Sequence, residues 1–173
     1  MKTIKQILVD HLNENRQDLQ EHETIKAALT PHDGKEFNGR LQRYLPEGYK
    51  IVIEYSLLHI KSPSGRTHHL GWTSNPFVNI ANMDNINASY CTGAKERIEK
   101  IEGFLNDPIR MKQLTSMFMK VKKAWAAFKT VANELEASKM DSYHNPAYYD
   151  LLKNFDVPYR IISDIRFNKI IID

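Results

Sequence analysis

The feature that most constrains the fold is a regular apolar series in the C-terminal half of the chain. Its members, separated by alternating steps of three and four residues, are Met111, Leu114, Phe118, Val121, Trp125, Phe128, Ala132 and Leu135. Steps of this kind keep side chains on one face of an α-helix. The series therefore predicts one long helix, from about Pro108 to Lys139, that packs lengthwise against other elements.

Further apolar residues widen this stripe. Met117, Ala124 and Val131 recur seven residues apart beside the main series. A stripe of this width is typical of a helix in a globular core rather than of a two-stranded coiled coil. Any part of it that stays exposed would allow a homo-oligomer, because apolar patches on proteins generally mark contact sites.

Length and composition favour a single intracellular domain. The chain has 173 residues, of which 42% are hydrophobic and 26% charged, within the usual range for one domain. Its one cysteine, Cys91, excludes an intramolecular disulfide and a cysteine-based zinc site. No apolar run approaches the roughly 20 residues of a membrane span, and no secretory signal is recognisable. We expect a cytoplasmic protein without a membrane partner.

Local signals mark several element ends. Thr3 and Gln6 have the spacing of a capping box, which predicts a helix starting at residue 4. Polar residues over 13–23 leave open whether this is one interrupted helix or two short ones. Asp107 followed by Pro108 is typical of a helix N-terminus and opens the long helix.

Together these patterns predict one α+β domain over 1–173, mostly helical, with the long helix packed on a small antiparallel β-sheet. The expected parts are N-terminal helices over 1–45, a β-hairpin sheet over 49–71, a helical hairpin with the long helix over 94–140, and a C-terminal helix and strand over 146–172.

One stretch carries a resemblance. The segment Asp33-Gly34-Lys35-Glu36-Phe37-Asn38-Gly39-Arg40-Leu41, followed by Leu45-Pro46 and a tyrosine-rich strand, resembles small proteins of phages and mobile elements. In those proteins a GK-x-x-N-x-R helix precedes a β-hairpin and a long charged helix follows. The resemblance covers roughly residues 25 to 140. It implies an accessory protein acting on host machinery, and it transfers neither an activity nor a site residue.

The predicted hairpin carries the strongest local candidate site. A turn over 62–65 would pair Lys61 with Arg66, His59 with His68, and Leu57 with Leu70. One face would then carry His59, Lys61, Arg66 and His68, and the other Leu58, Ile60, Thr67 and His69. Clustered cations favour a bound anion such as a phosphate backbone. The alternative is the ordinary solvent-facing side of a hairpin, and a one-residue bulge would replace His68 by His69.

Sequence motifs give little support to catalysis or metal binding. His59 with His68 or His69 supplies two metal ligands and Glu54 a third, but no fixed ligand spacing is present. There is no glycine-rich phosphate loop, and Cys91 lies in no recognisable nucleophile motif. We therefore predict no catalytic residue, no metal and no cofactor. A metal-dependent hydrolase or nuclease is kept as the third hypothesis.

The long helix is locally basic. Between Pro108 and Asn133 the cations are Arg110, Lys112, Lys120, Lys122, Lys123 and Lys129, with no acidic residue. Lys120 and Lys123 are neighbours on the helix and are candidates for phosphate contacts. The set as a whole spreads over the polar arc, which is also what a solvated helix face shows.

An asparagine-rich segment follows the hairpin. Trp72, Asn75, Phe77 and Asn79 combine aromatic and amide side chains, which suit a protein interface. We therefore predict a non-catalytic accessory protein that binds a protein partner. The alternative is a nucleic-acid-binding protein that uses the basic hairpin face and the long helix.

Overall fold

The computed structural model describes residues 1–32, 40–72, 88–131, 155–157 and 170–172. Three residues of the predicted partner interface, Asn75, Phe77 and Asn79, lie outside these ranges. The resembling segment up to Gly39, the long helix beyond Val131 and the predicted helix near residue 146 also lie outside them. The side chains of Trp72 and Trp125 are likewise outside the description.

The described elements confirm an α+β fold. The helices are α1 (Ile4–Leu29), a short 3-10 helix (Leu41–Tyr44), α2 (Ala88–Asn106) and α3 (Pro108–Val131). The strands are β1 (Lys2–Thr3), β2 (Lys50–Glu54), β3 (Leu57–Lys61), β4 (Thr67–Trp72) and β5 (Ile170–Ile171). β2, β3 and β4 form an antiparallel sheet in that order, and β1 pairs with β5 in parallel.

The chain divides into two compact units. One comprises Met1–Asn13 with Arg97–Asp173, and the other comprises Glu14–Glu96. Each unit has its own cluster of buried side chains. The predicted single domain is thus subdivided, and α1 contributes residues to both units.

Helix α1 begins with the predicted capping box. The backbone N–H of Thr3 donates to Gln6 Oε1 at 2.9 Å, and the N–H of Gln6 donates to Thr3 Oγ1 at 3.1 Å. These bonds satisfy donors that the first helical turn leaves without partners. From Ile4 the helix continues without interruption to Leu29, which settles the alternative between one helix and two.

Helix α3 begins at the predicted N-cap. Asp107 Oδ1 accepts hydrogen bonds from the backbone N–H groups of Ile109 at 2.9 Å and Arg110 at 3.1 Å. Along the predicted stripe Leu114, Phe118 and Val121 are buried. The cluster around them consists of Ile4, Leu8, Leu12, Ile101, Phe104, Leu114, Met117, Phe118, Val121, Val157 and Ile170. The stripe therefore faces a globular core, as its width indicates.

The sheet packs on the C-terminal part of α1. Its buried side chains share a cluster made of Ile25, Leu29, Leu41, Leu45, Leu58, Ile60 and Leu70. The free edge of β2 is partly covered by the side chain of Gln42. Its Nε2 donates to the carbonyl of Tyr49 and its Oε1 accepts from the N–H of Ile51, both at 2.8 Å. This amide replaces a neighbouring strand.

We predict that Phe118→Ala lowers the free energy of unfolding by about 3–5 kcal/mol, because it removes a fully buried ring from the α3 core. Urea denaturation followed by circular dichroism measures this. The control is Met119→Ala, the next residue, whose side chain is 37% exposed. Equal losses for the two variants would contradict the packing described for α3.

Candidate functional site

The hairpin register differs by one residue from the predicted one. His59 lies opposite His69, Ile60 opposite His68, and Lys61 opposite Thr67. The predicted pairs of His59 with His68, Lys61 with Arg66, and Leu57 with Leu70 are therefore wrong. The register shifts beyond His59, where Leu58 lies opposite Gly71 and Leu57 opposite Trp72, so Leu70 is the extra residue of a β-bulge.

The shift moves His68 to the inner face of the sheet, beside α1. His68 Nε2 lies 3.3 Å from Glu21 Oε2, and both side chains are about nine-tenths buried. The ring of His22 lies 6.3 Å from that of His68, measured between centroids. His68 therefore belongs to a buried polar cluster that the sequence analysis did not identify.

The carboxylate of Glu21 is the centre of this cluster. Its Oε1 accepts a hydrogen bond from Gln17 Nε2 at 3.1 Å, and the hydroxyls of Ser62 and Ser64 also bond to it. Burial raises the pKa of this carboxyl, but the bonds from Ser64, Ser62, His68 and Gln17 outweigh burial and hold it below its usual range. The carboxylate of Glu21 is therefore ionised, and hydrogen bonds from the protein take the place of water around it.

The cluster attaches the β3–β4 turn to α1. Ser62 Oγ lies 2.9 Å from Ser64 Oγ, and its N–H donates to the carbonyl of Arg66 at 2.8 Å. Nucleophilic catalysis needs a hydroxyl bonded to a base that a third group orients. Here the hydroxyl of Ser62 donates to the carbonyl of Arg66 at 3.2 Å, a bond that stabilises the turn.

The outer face of the sheet carries a different set of side chains. One cross-strand row is Lys50, Lys61 and Thr67, and the next is Val52, His59 and His69. Lys50, Lys61 and Thr67 are exposed, and the members of the second row are half-buried. The rings of His59 and His69 lie 5.2 Å apart between centroids. Burial, and secondly His59, lowers the pKa of His69.

The cation beside Lys61 on this face is Lys50, and not Arg66 as predicted. The carbonyl of Arg66 is bonded to Ser62, so Arg66 is not opposite Lys61. Lys50 reaches Lys61 because Tyr55 and Ser56 form a two-residue turn, in which both residues have positive φ angles of 51° and 62°. Such turns favour glycine or asparagine, so the residues Tyr55 and Ser56 do not indicate a turn at this point of the sequence.

Of the two histidine pairs considered as metal ligands, the structure brings together His59 and His69. His59 lies beside His69 and not beside His68. In the ranges that the structure describes, no group of three His, Cys, Asp or Glu side chains has the arrangement of a metal site.

A groove with a volume of about 990 Å³ lies along α3 in the other unit. It is lined by Pro108, Ile109, Lys112, Gln113, Ser116, Met117, Lys120 and Phe155. Ile109 is 69% exposed, which is unusual for a large aliphatic side chain in a helix. The bond from Lys100 Nζ to Asp156 Oδ1, at 3.1 Å, holds the residue next to Phe155 against α2.

The cations of α3 have different roles. Lys120 lines the groove and Lys123 is exposed, so these two predicted phosphate contacts stay untested. Lys122 Nζ donates to the carbonyl of Ile170 at 2.7 Å, and the guanidinium of Arg110 lies 4.3 Å from the ring centroid of Phe104. Lys122 and Arg110 therefore stabilise the unit.

Comparisons add no relative to this description, since no family model, curated protein or solved structure matches the chain. Among the described helices, none combines the length and apolar composition that crossing a membrane requires.

We predict that Glu21→Ala lowers the free energy of unfolding by about 1–3 kcal/mol, because it removes the carboxylate that His68 and Gln17 contact inside the protein. Chemical denaturation measures the loss. Glu23→Ala is the matched control, because Glu23 is exposed on the same helix. A loss in the control as large as in Glu21→Ala would contradict the role given to Glu21.

We also predict that the protein loses stability as the pH falls below about 6.5. Burial, and secondly His68, lowers the pKa of His22 below its ordinary value of 6.5, so the unfolded chain binds more protons in this range. The stabilisation is complete above the unfolded pKa and is lost as the pH falls through the folded one. His22→Gln should reduce this slope in urea denaturation at pH 7.5, 6.5 and 5.5, and identical slopes would contradict the prediction.

Proposed function

We propose that this chain is a non-catalytic protein that binds a helical segment of a protein partner in the groove along α3. The observation that carries the proposal is the composition of the groove, which combines an apolar floor with a basic rim. The single cysteine of the chain, Cys91, is consistent with a location in the reducing cytoplasm.

The groove follows one face of α3. Ile109, Gln113, Ser116 and Lys120 stand at positions i, i+4, i+7 and i+11, which share a helix face. Met117 closes the floor from the core side, where it is 7% exposed. From Ile109 to Lys120 this face extends about 17 Å at 1.5 Å per residue, which suits about three turns of a partner helix.

The positive charges at the groove indicate which charges the partner helix carries. Lys112 and Lys120 are exposed at the groove, and α3 contains no acidic residue. These lysines are eight positions apart, about 12 Å along the helix. A partner helix with apolar anchors and with carboxylates eight residues apart would match both the floor and the rim.

The test uses a designed helical peptide of 18 residues that carries a leucine stripe and two glutamates eight residues apart. We predict micromolar binding in a fluorescence-anisotropy titration, and no binding of a scrambled peptide of the same composition. Ile109→Glu should weaken the affinity at least tenfold, because it places a charge on the apolar floor.

The matched controls use charge reversal on the same helix. Lys112→Glu/Lys120→Glu should abolish binding, whereas Lys123→Glu, at an exposed position outside the groove lining, should leave it nearly unchanged. Equal binding of the scrambled peptide, or an equal effect of Lys123→Glu and Lys120→Glu, would overturn the proposal.

A further inference from the structure

We propose a second binding site, independent of the groove, in which the outer face of the β2–β3–β4 sheet binds single-stranded nucleic acid. The sheet lies within the unit Glu14–Glu96, whereas the groove belongs to the other unit. Lys50 and Lys61 contact the phosphates, and the rings of His59 and His69 contact the bases.

The first observation is an unfavourable pair of charges. Lys50 and Lys61 stand directly opposite each other on neighbouring strands, and both are exposed. Side chains opposite each other in an antiparallel pair have Cβ atoms about 5 Å apart, so like charges destabilise the sheet there. A phosphate between the two ammonium groups replaces this repulsion with attraction. The exposed hydroxyl of Thr67, next in the same row, adds a donor to a phosphate oxygen.

The second observation is the pair of flat rings in the next row. His59 and His69 are half-buried, with centroids 5.2 Å apart, and Val52 completes the row. Nδ1 of each histidine is buried and has no hydrogen-bond partner among the residues that the structure describes, so only the remaining, accessible part of each ring is offered to a base. Because its pKa is lowered, the ring of His69 is uncharged at neutral pH and presents a π-face. Unpaired bases stack on such rings.

The spacing of the rows matches the spacing of nucleotides. Residues two apart on one face of a strand are separated by about 6.8 Å, and stacked nucleotides rise about 3.4 Å each. The distance between the row of Lys50 and Lys61 and the row of His59 and His69 thus equals the rise of about two stacked nucleotides.

Glu54 determines which way the bound nucleic-acid strand lies across the sheet. It stands in the third row, two residues beyond Val52, and is exposed. Its carboxylate repels phosphate, so the backbone passes over the lysines and the bases point toward the histidines. This division between cations and rings favours a single strand over a duplex, whose base faces are covered, and over an acidic peptide, which has no bases to stack.

The test is a fluorescence-anisotropy titration of labelled 12-mers of thymidylate and uridylate in 50 mM and 300 mM NaCl. We expect binding that weakens with salt, because cations at phosphates release counterions. Lys50→Glu/Lys61→Glu should reduce the affinity at least tenfold at 50 mM. The control is Lys5→Glu/Lys95→Glu, which changes the net charge equally at two exposed helical positions, and its affinity should stay within threefold of the native chain.

Two further variants separate binding from folding. Lys50→Glu alone places opposite charges across the β2–β3 pair, so it should raise the urea midpoint while weakening binding. His59→Ala/His69→Ala should reduce the affinity at least fivefold at both salt concentrations, because stacking is insensitive to counterions.

The proposal is overturned by any of three results. These are no binding at 50 mM NaCl, an equal loss in the lysine control, or binding of a 12-base-pair duplex as tight as that of the single strands. The groove peptide serves as an internal reference, since loss of oligonucleotide binding with retained peptide binding overturns this inference alone.

Discussion

The hydrogen bond between Glu21 and His68 is the constraint on which the arrangement of the sheet depends. Glu21 is fixed on α1, so His68 must face inward to reach it, and β4 adopts the register that allows this. A one-residue slip would turn every side chain of the strand to the other face. Leu70, two residues beyond His68, faces the same side and is 3% exposed, and the bulge at Leu70 brings Gly71 opposite Leu58. One buried contact thus determines the composition of both faces of the hairpin.

The same contact decides which cations and rings meet on the outside. With His68 turned inward, His69 stands beside His59, and Thr67 rather than Arg66 stands beside Lys61. The carboxylate of Glu21 is stable in this position only because protein donors replace water around it. The outer face proposed as a nucleic-acid site is therefore a consequence of an interaction on the inner face. The groove along α3 belongs to a separate unit with its own core.

Local signals were sufficient for the helices and insufficient for the site. The caps at Thr3 and Asp107 involve residues within three positions, so the sequence reveals them directly. One face of α1 continues in steps of three and four through polar residues, from Ile4 to Leu29 by way of Leu8, His11, Asn15, Asp18, His22 and Ile25, and all of these except the half-buried Asp18 are buried. An apolar pattern misses such positions, and Glu21 beside them. The partner of His68 is 47 residues away, so no local rule could set the hairpin register.

The most direct test of this account is the register of β3 and β4 in solution. In a nuclear Overhauser spectrum of labelled protein, backbone protons of His59 should give cross-peaks to His69, and those of Ile60 should give cross-peaks to His68. Cross-peaks between His59 and His68 would contradict the account, because His68 would then face outward, away from Glu21.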